Sequence, residues 1–96
     1  MLELLLTPKA EHDLEKIFQF TMNSWGLKQA EKYQDELYAG MQLILENVFI
    51  GKIYSHSELH YRKFHINRHL IFYRIDENVC VVVRILHDRM DLKRYI

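Results

Sequence analysis

Cationic and imidazole side chains lie on two β-type runs in the last third of the chain. The runs are Arg68 to Arg74 and Arg84 to Asp91, and apolar residues separate most of their Arg and His positions. Successive side chains of a strand point to opposite faces, so one face can be buried while the other presents charged and titratable groups. A small sheet that displays such groups is typical of a protein that binds a partner.

Two groupings of histidine could carry chemistry, and we expect a structural role for both. His87 and Asp88 are adjacent, so their side chains would meet only if a turn followed the strand. We expect His87 to be hydrogen-bonded at the strand end, and Asp88 and Asp91 to cap the next turn. His65 and His69 lack the spacing of a metal site, and Cys80 lies in an apolar run. The sequence therefore predicts neither a metal nor a cofactor.

The composition indicates one small domain with no overall charge. The chain has 96 residues with one Pro and three Gly, which predicts a single domain over residues 1–96. Thirteen basic residues balance thirteen acidic ones, which argues against nucleic-acid binding through a generally basic surface. Residues 1–51 hold four lysines against eight carboxylates, and residues 52–96 hold nine Lys or Arg against five. The two halves could therefore select different partners.

The cysteine content and the length of the apolar runs indicate the cellular compartment of the protein. A single cysteine cannot form an intrachain disulfide and fits a reducing compartment. The run from Leu4 to Leu6 is far too short for a signal peptide, and no apolar run is long enough to span a bilayer. The sequence therefore predicts a cytoplasmic protein without a membrane partner.

Two amphipathic helices are predicted in the first half. Thr7 and Pro8 suit the N-cap and first position of a helix that Gly26 ends. A second helix is predicted from about Lys28 to Asn47, and the short link makes the pair an antiparallel hairpin. The inward stripes are Ala10, Leu14, Ile17, Phe18 and Thr21, then Ala30, Tyr33, Leu37, Met41, Ile44, Leu45 and Val48. Glu11, Asp13, Glu15 and Lys16 are expected to face water.

Four strands complete the predicted fold. Residues 1–6 form a buried strand, and residues 61–66, 69–75 and 79–86 form an antiparallel meander joined by short turns. Residues 49–60 have no regular pattern and are assigned to a surface connection. The order β-α-α-β-β-β predicts an α+β, two-layer domain with the N-terminal helical hairpin packed on a mostly antiparallel sheet.

Two series of residues are similar to those of a known toxin family. The first is Leu6-Thr7-Pro8-Lys9-Ala10, Asp13-Leu14-x-x-Ile17 and Trp25-Gly26-x-x-Gln29-Ala30-x-x-Tyr33. The second is Tyr61-Arg62-Lys63-Phe64, Asn67 to Arg74 and Arg84 to Asp91. Together they resemble ParE toxins of the RelE/ParE superfamily over nearly the whole chain. One departure is Asn47-Val48-Phe49-Ile50-Gly51, where many relatives carry Asn-Pro-x-x-Gly.

The resemblance implies the RelE/ParE-like fold and the toxin role of a type II toxin-antitoxin system. Such a toxin is neutralised by a ParD-like antitoxin and, when free, poisons DNA gyrase by protein-protein contact. It binds operator DNA only within the antitoxin complex. No catalytic residue is expected under this interpretation.

Two alternatives to gyrase poisoning remain open. The RelE branch of the superfamily cleaves ribosome-bound mRNA, which needs proton-transfer groups and cations on the phosphate. Arg62, Arg84, His87 and Tyr95 would be the candidates for that reaction. The neutral composition argues against such a ribonuclease. The other alternative is a non-toxic family member that still binds an antitoxin.

Two contact surfaces are predicted from the resemblance and the residue types. We expect Arg84, His87, Arg89, Met90 and Arg94 to contact the target. We expect the antitoxin to contact Trp25, Tyr33, Tyr38, Met41, Arg68 and Tyr73, provided that these side chains are exposed rather than in the core. Residues 52–60 carry no recognisable contact pattern.

Overall fold

A five-stranded sheet with a helical hairpin on one face forms the fold of the computed structural model, which describes residues 2–56, 59–90 and 94–95. Its elements are β1 Glu3–Leu6, α1 Pro8–Trp25, α2 Leu27–Glu46, β2 Lys52–His56, β3 Leu59–Ile66, β4 His69–Asp76 and β5 Val79–His87. The strand order is β1-β5-β4-β3-β2, with β1 parallel to β5 and the other pairs antiparallel. The predicted α+β, two-layer class is confirmed.

The two helices begin and end where their capping residues predict. Thr7 Oγ1 accepts a hydrogen bond from the Ala10 amide at 3.1 Å and donates one to the Val83 carbonyl at 2.8 Å, so the cap also ties α1 to β5. Gly26 separates the helices with a φ of 94°, which glycine adopts without strain. Within the described residues, neither helix is both long and apolar enough to cross a membrane.

Buried side chains form one cluster on each face of the sheet. The cluster under the helices comprises Ala10, Leu14, Leu37, Met41, Ile44, Ile71, Tyr73, Cys80, Val82 and Ile85. The inward stripes predicted for α1 and α2 supply its first five members. A second cluster of Leu70, Phe72, Val81, Val83 and Leu86 packs with Tyr54, Tyr61, Val79 and Met90. Side chains of neighbouring residues on β4 belong to different clusters, as strand alternation requires.

The predicted strand pattern is wrong in two places, and both are edges of the sheet. Part of the segment predicted as a connection is β2, which pairs with β3 and places Ile53 opposite Arg62. β1, predicted to be buried, has Leu5 exposed while Leu4 and Leu6 pack against the core. An edge strand borders solvent, so the side-chain pattern that marks a central strand is weak there.

The connection from α2 to β2 is fixed by a buried hydroxyl. Tyr73 Oη donates to the Val48 carbonyl at 2.6 Å and accepts from the Gly51 amide at 3.0 Å. Arg62 Nη1 donates to the Gly51 carbonyl at 2.8 Å. These three bonds hold the connection from α2 to β2 in place.

Candidate partner-binding groove

A groove of about 810 Å³ lies between α1, the start of α2 and the ends of β4 and β5. Two aromatic side chains of α1 stand on its border, with Phe20 69% and Trp25 74% exposed. Ile17, Leu86 and Met90 add apolar surface. Large exposed aromatic groups that border a concave apolar surface are typical of a protein-protein interface.

An ion pair between α1 and β5 forms the charged part of the groove wall. Arg84 Nε donates to Asp13 Oδ2 at 2.8 Å, and Arg84 Nη2 donates to Asp13 Oδ1 at 2.9 Å. The side chains of Arg84 and Asp13 are only 18% and 9% exposed. Hydrogen bonding to Asp13 raises the pKa of Arg84 further. Arg84 therefore remains charged, and Asp13 neutralises that charge within the chain.

The local backbone explains why Asp13 and Arg84 meet. β1 pairs with β5 only as far as Val82, so beyond that residue the edge of β5 is open to α1. The Ile85 amide on this open edge donates to Asp13 Oδ2 at 2.9 Å. Val83 is an extra residue in the pairing of β5 with β4, and such a bulge redirects the side chains beside it.

Tyr33 and His69 form a hydrogen-bonded pair at the end of the groove. Tyr33 Oη accepts from the Arg68 amide at 3.3 Å and lies 2.6 Å from His69 Nδ1. Neutral His69 accepts the Tyr33 hydroxyl proton on Nδ1 in the tautomer that carries the ring proton on Nε2. Burial, aided by His87, lowers the pKa of His69 to about 4, which keeps the ring uncharged at pH 7.

A turn after β5 fixes His87, as the sequence predicts. Its Nδ1 accepts from the Arg89 amide at 3.1 Å, and its carbonyl accepts from the Met90 amide at 3.0 Å. Asp88 was predicted to cap this turn, but its carboxylate lies 3.1 Å from His65 Nε2 and so contacts β3 across the sheet instead. Asp91, predicted to cap the same turn, lies outside the described residues. His87 and Asp88 come within 3.4 Å of each other because of this turn.

The groove brings together residues from both predicted contact sets. Its lining includes Trp25, Tyr33 and Arg68 from the antitoxin set, and Arg84, His87 and Met90 from the target set, together with Tyr95. Arg89 and Arg94 are exposed. Tyr38 is exposed and borders a separate groove of about 640 Å³ beside β1.

Met41 and Tyr73, predicted as antitoxin contacts, cannot present their side chains to a partner. Both are 0% exposed. Met41 lies on the inward stripe of α2, and Tyr73 reaches under α2 to hold its connection to β2. The two residues stabilise the fold, and we remove them from the contact set.

The four candidates for ribonuclease chemistry do not form one site. Arg84, His87 and Tyr95 line the groove. Arg62 lies on β3, two strands from β5 and hence roughly 10 Å away in the sheet. Its guanidinium is bound to the Gly51 carbonyl and lies 5.0 Å from the centre of the Phe49 ring.

Sequence reasoning missed several residues of the groove, and Asp13 and Phe20 are the two that matter most for its chemistry. Asp13 was expected to face water but is buried against Arg84. Phe20 belongs to no predicted contact set because it lies outside the inward stripe of α1. A large apolar residue on the outer face of an amphipathic helix was the available signal for an interface.

Comparison with known proteins identifies the family. A family model described as the ParE toxin of the type II toxin-antitoxin system parDE matches residues 4–92. The chain belongs to the ParE toxin family. The resemblance seen in the sequence is thus confirmed, and the matched range holds every lining residue of the groove named above except Tyr95.

Curated ParE relatives match nearly end to end. Toxin ParE1 of Mycobacterium tuberculosis is 40% identical over 91 residues, which cover 94% of this chain and 93% of that protein. Toxin ParE1 of Caulobacter vibrioides is 30% identical over 91 residues, covering 95% and 94%. A solved structure described as the chromosomal ParDE TA system from P. aeruginosa has a TM-score of 0.78 at 18% identity, and covers 91% of this chain and 96% of that one. That similarity shows a shared fold.

Proposed function

We propose that this chain is the toxin of a ParDE pair and that its ParD-like antitoxin binds in the groove between α1 and β5. The supporting observation is the pair of exposed aromatic side chains, Phe20 and Trp25, on a concave apolar surface of a ParE-family fold. Exposed Trp is costly to keep in water and is enriched among residues that dominate binding energy.

Charge complementarity favours an acidic amphipathic helix as the bound segment of the antitoxin. Lys16 and Arg68 line the groove, and Asp13, the one carboxylate among its described lining residues, is neutralised by Arg84. A helix with an apolar stripe would cover the floor, and carboxylates beside that stripe would meet the two cations.

Most of the binding free energy is expected to come from the aromatic residues. Nanomolar binding needs about −12 kcal/mol. An exposed ion pair at the rim contributes about 0–1 kcal/mol, so Lys16 and Arg68 would set orientation and association rate. Trp25 and Phe20 would supply the larger share through burial.

The antitoxin proposal is tested by titrating the cognate antitoxin into wild-type and variant toxin. Trp25→Ala should weaken Kd by at least about tenfold, the range expected for a residue that dominates an interface. Phe49→Ala is the matched control, because Phe49 is 73% exposed but does not line the groove. Equal affinities of the two variants would place the antitoxin elsewhere.

When free of its antitoxin, the toxin is proposed to poison DNA gyrase by contact, with no reaction of its own. Arg89 and Arg94 are exposed cations, and His87 and Met90 lie beside them near the C-terminal end. Arg84 is engaged by Asp13 and supports this segment from inside. An exposed cationic segment next to an apolar residue suits protein-protein contact.

The gyrase proposal is tested by incubating purified toxin with gyrase, ATP and plasmid DNA. Linear, protein-linked plasmid is expected, and Arg89→Ala with Arg94→Ala should reduce its yield, whereas Arg74→Ala should not. Translating ribosomes are assayed in parallel by primer extension. Codon-linked cuts in mRNA with normal supercoiling would replace gyrase poisoning by ribonuclease activity.

A further inference from the structure

Tyr95 is attached to β5 through Arg84. Arg84 Nη1 donates to the Tyr95 carbonyl at 3.2 Å, and the guanidinium carbon lies 5.8 Å from the centre of the Tyr95 ring. The ring is exposed and lines the groove that also contains Trp25. One arginine thus holds both the backbone and the ring of a residue in the groove wall.

Arg84 is itself held in one orientation. Asp13 binds two of its nitrogen atoms at once, and a planar fork bound at two points has little freedom to rotate. The Ile85 amide fixes the carboxylate in turn. The position of Tyr95 therefore depends on a chain of contacts that begins on α1, where Phe20 and Trp25 also lie.

We propose that Asp13 and Arg84 are positioning residues that hold Tyr95 as one wall of the antitoxin groove. The inference rests on the function proposed above and adds a role for a residue outside the matched range of the family. A wall that is already in place need not be ordered when the partner binds. Loss of this order should weaken the partner's Kd by roughly two- to tenfold, the cost of immobilising one such side chain.

Two substitutions separate positioning from general support of the fold. Arg84→Lys keeps a positive charge beside Asp13, but one ammonium group cannot form the two-point contact and also hold the Tyr95 carbonyl. Tyr95→Ala removes the ring and leaves the ion pair intact. Tyr95→Phe keeps both the ring and the backbone carbonyl, so it should bind the antitoxin as wild type does.

A double-mutant cycle on antitoxin affinity tests whether the effect of Arg84 on binding requires the Tyr95 ring. If Arg84 acts through the ring, Arg84→Lys should change Kd several-fold in the wild-type background and hardly at all in the Tyr95→Ala background. Losses that multiply in the double variant would overturn the proposal. Failure of the wild-type chain to bind any ParD-like antitoxin would instead overturn the proposed function.

A measurement on the free toxin tests the position of Tyr95 without any binding partner. 3-Fluorotyrosine placed at position 95 reports its surroundings by ¹⁹F NMR, with 3-fluorotyrosine at position 38 as the control label. The position 95 signal should shift towards that of a solvated tyrosine in Arg84→Lys, and the position 38 signal should not. If Arg84→Lys does not fold, Asp13→Asn is used with the same labels. An unchanged position 95 signal in a folded variant would show that the ion pair does not position Tyr95.

Discussion

Asp13 and Arg84 are separated by 71 positions in the sequence, yet they form a two-point ion pair that joins the first turns of α1 to β5. The pair is shielded from solvent, and the Asp13 carboxylate also accepts the Ile85 amide. It connects the helical layer to the sheet beside the candidate groove.

Removing the Asp13 carboxylate should destabilise the fold strongly. Asp13→Ala leaves a shielded guanidinium and a buried amide without their acceptor, and we expect the free energy of unfolding to fall by about 3 kcal/mol. Urea denaturation measures the loss. The control is Asp76→Ala, which removes the exposed partner of Arg74 and should cost under about 1 kcal/mol. Similar losses for the two variants would contradict the buried-pair account.

Tyr73→Phe should destabilise the fold by about 1–3 kcal/mol, because removal of one hydroxyl leaves two backbone groups unsatisfied. The Val48 carbonyl would lose its donor and the Gly51 amide its acceptor. Thermal and urea denaturation compare this variant with Tyr38→Phe, whose exposed hydroxyl should contribute almost nothing. A neutral Tyr73→Phe would mean that water replaces both bonds.

Gly51→Ala should be more damaging than Gly40→Ala. A methyl group at residue 51 would lie 2.6 Å from Tyr73 Oη and 3.0 Å from the Lys63 carbonyl, so backbone would have to move. At residue 40 the nearest atom, 2.8 Å away, is the end of the Ile66 side chain, which can rotate. We expect the first variant to lose about 2 kcal/mol more than the second, within the range for overpacking. Soluble yield and urea denaturation check the order.

The stability of the fold should fall on mild acidification, in part through His69. Burial lowers the pKa of His69 from 6.5 to about 4, so between these values the unfolded chain binds a proton that the folded chain does not. The stabilisation by neutral His69 is therefore complete above pH 6.5 and is lost as the pH falls towards 4. Tyr33, His87, Asp88 and Asp13 are the titratable groups that act on it.

Urea midpoints at pH 7 and pH 4.5 measure this effect. His69→Gln keeps an acceptor for the Tyr33 hydroxyl but cannot be protonated, so the difference between the two midpoints should shrink. His12→Gln, at an exposed site on α1, should leave the difference as in wild type. A wild-type difference retained by His69→Gln would assign the pH dependence to other groups.

Local signals in the sequence located most of the fold. Thr7, Pro8 and Gly26 set the helix ends because capping and glycine conformation depend on neighbouring residues alone. The two hairpins after β3 and β4 were equally visible, with Asn67 and Glu77 in the left-handed region at their turns. β2 was missed because an edge strand needs no apolar alternation.

Long-range partners account for what the sequence did not reveal about the site. Asp13 is surrounded on α1 by residues that face water, and its partner Arg84 is not recognisable from any local pattern. Met41 and Tyr73 carry residue types common at interfaces, but only the packing of helix on sheet decides that they are buried. Trp25, Tyr33 and Arg68 were placed in one contact set by resemblance, and the structure gathers them around a single groove.

The parallel pairing of β1 with β5 has a consequence for synthesis of the toxin. Among the strands that the structure describes, β1 is made first, and its one neighbour in the sheet, β5, is made last. Contacts between segments so far apart in the sequence form late and slow folding. A nascent chain in which β1 and both helices have left the ribosome still lacks β5. A product cut short before residue 79 should therefore have no complete groove. Translation itself thereby delays the appearance of a binding-competent toxin until β5 has been made.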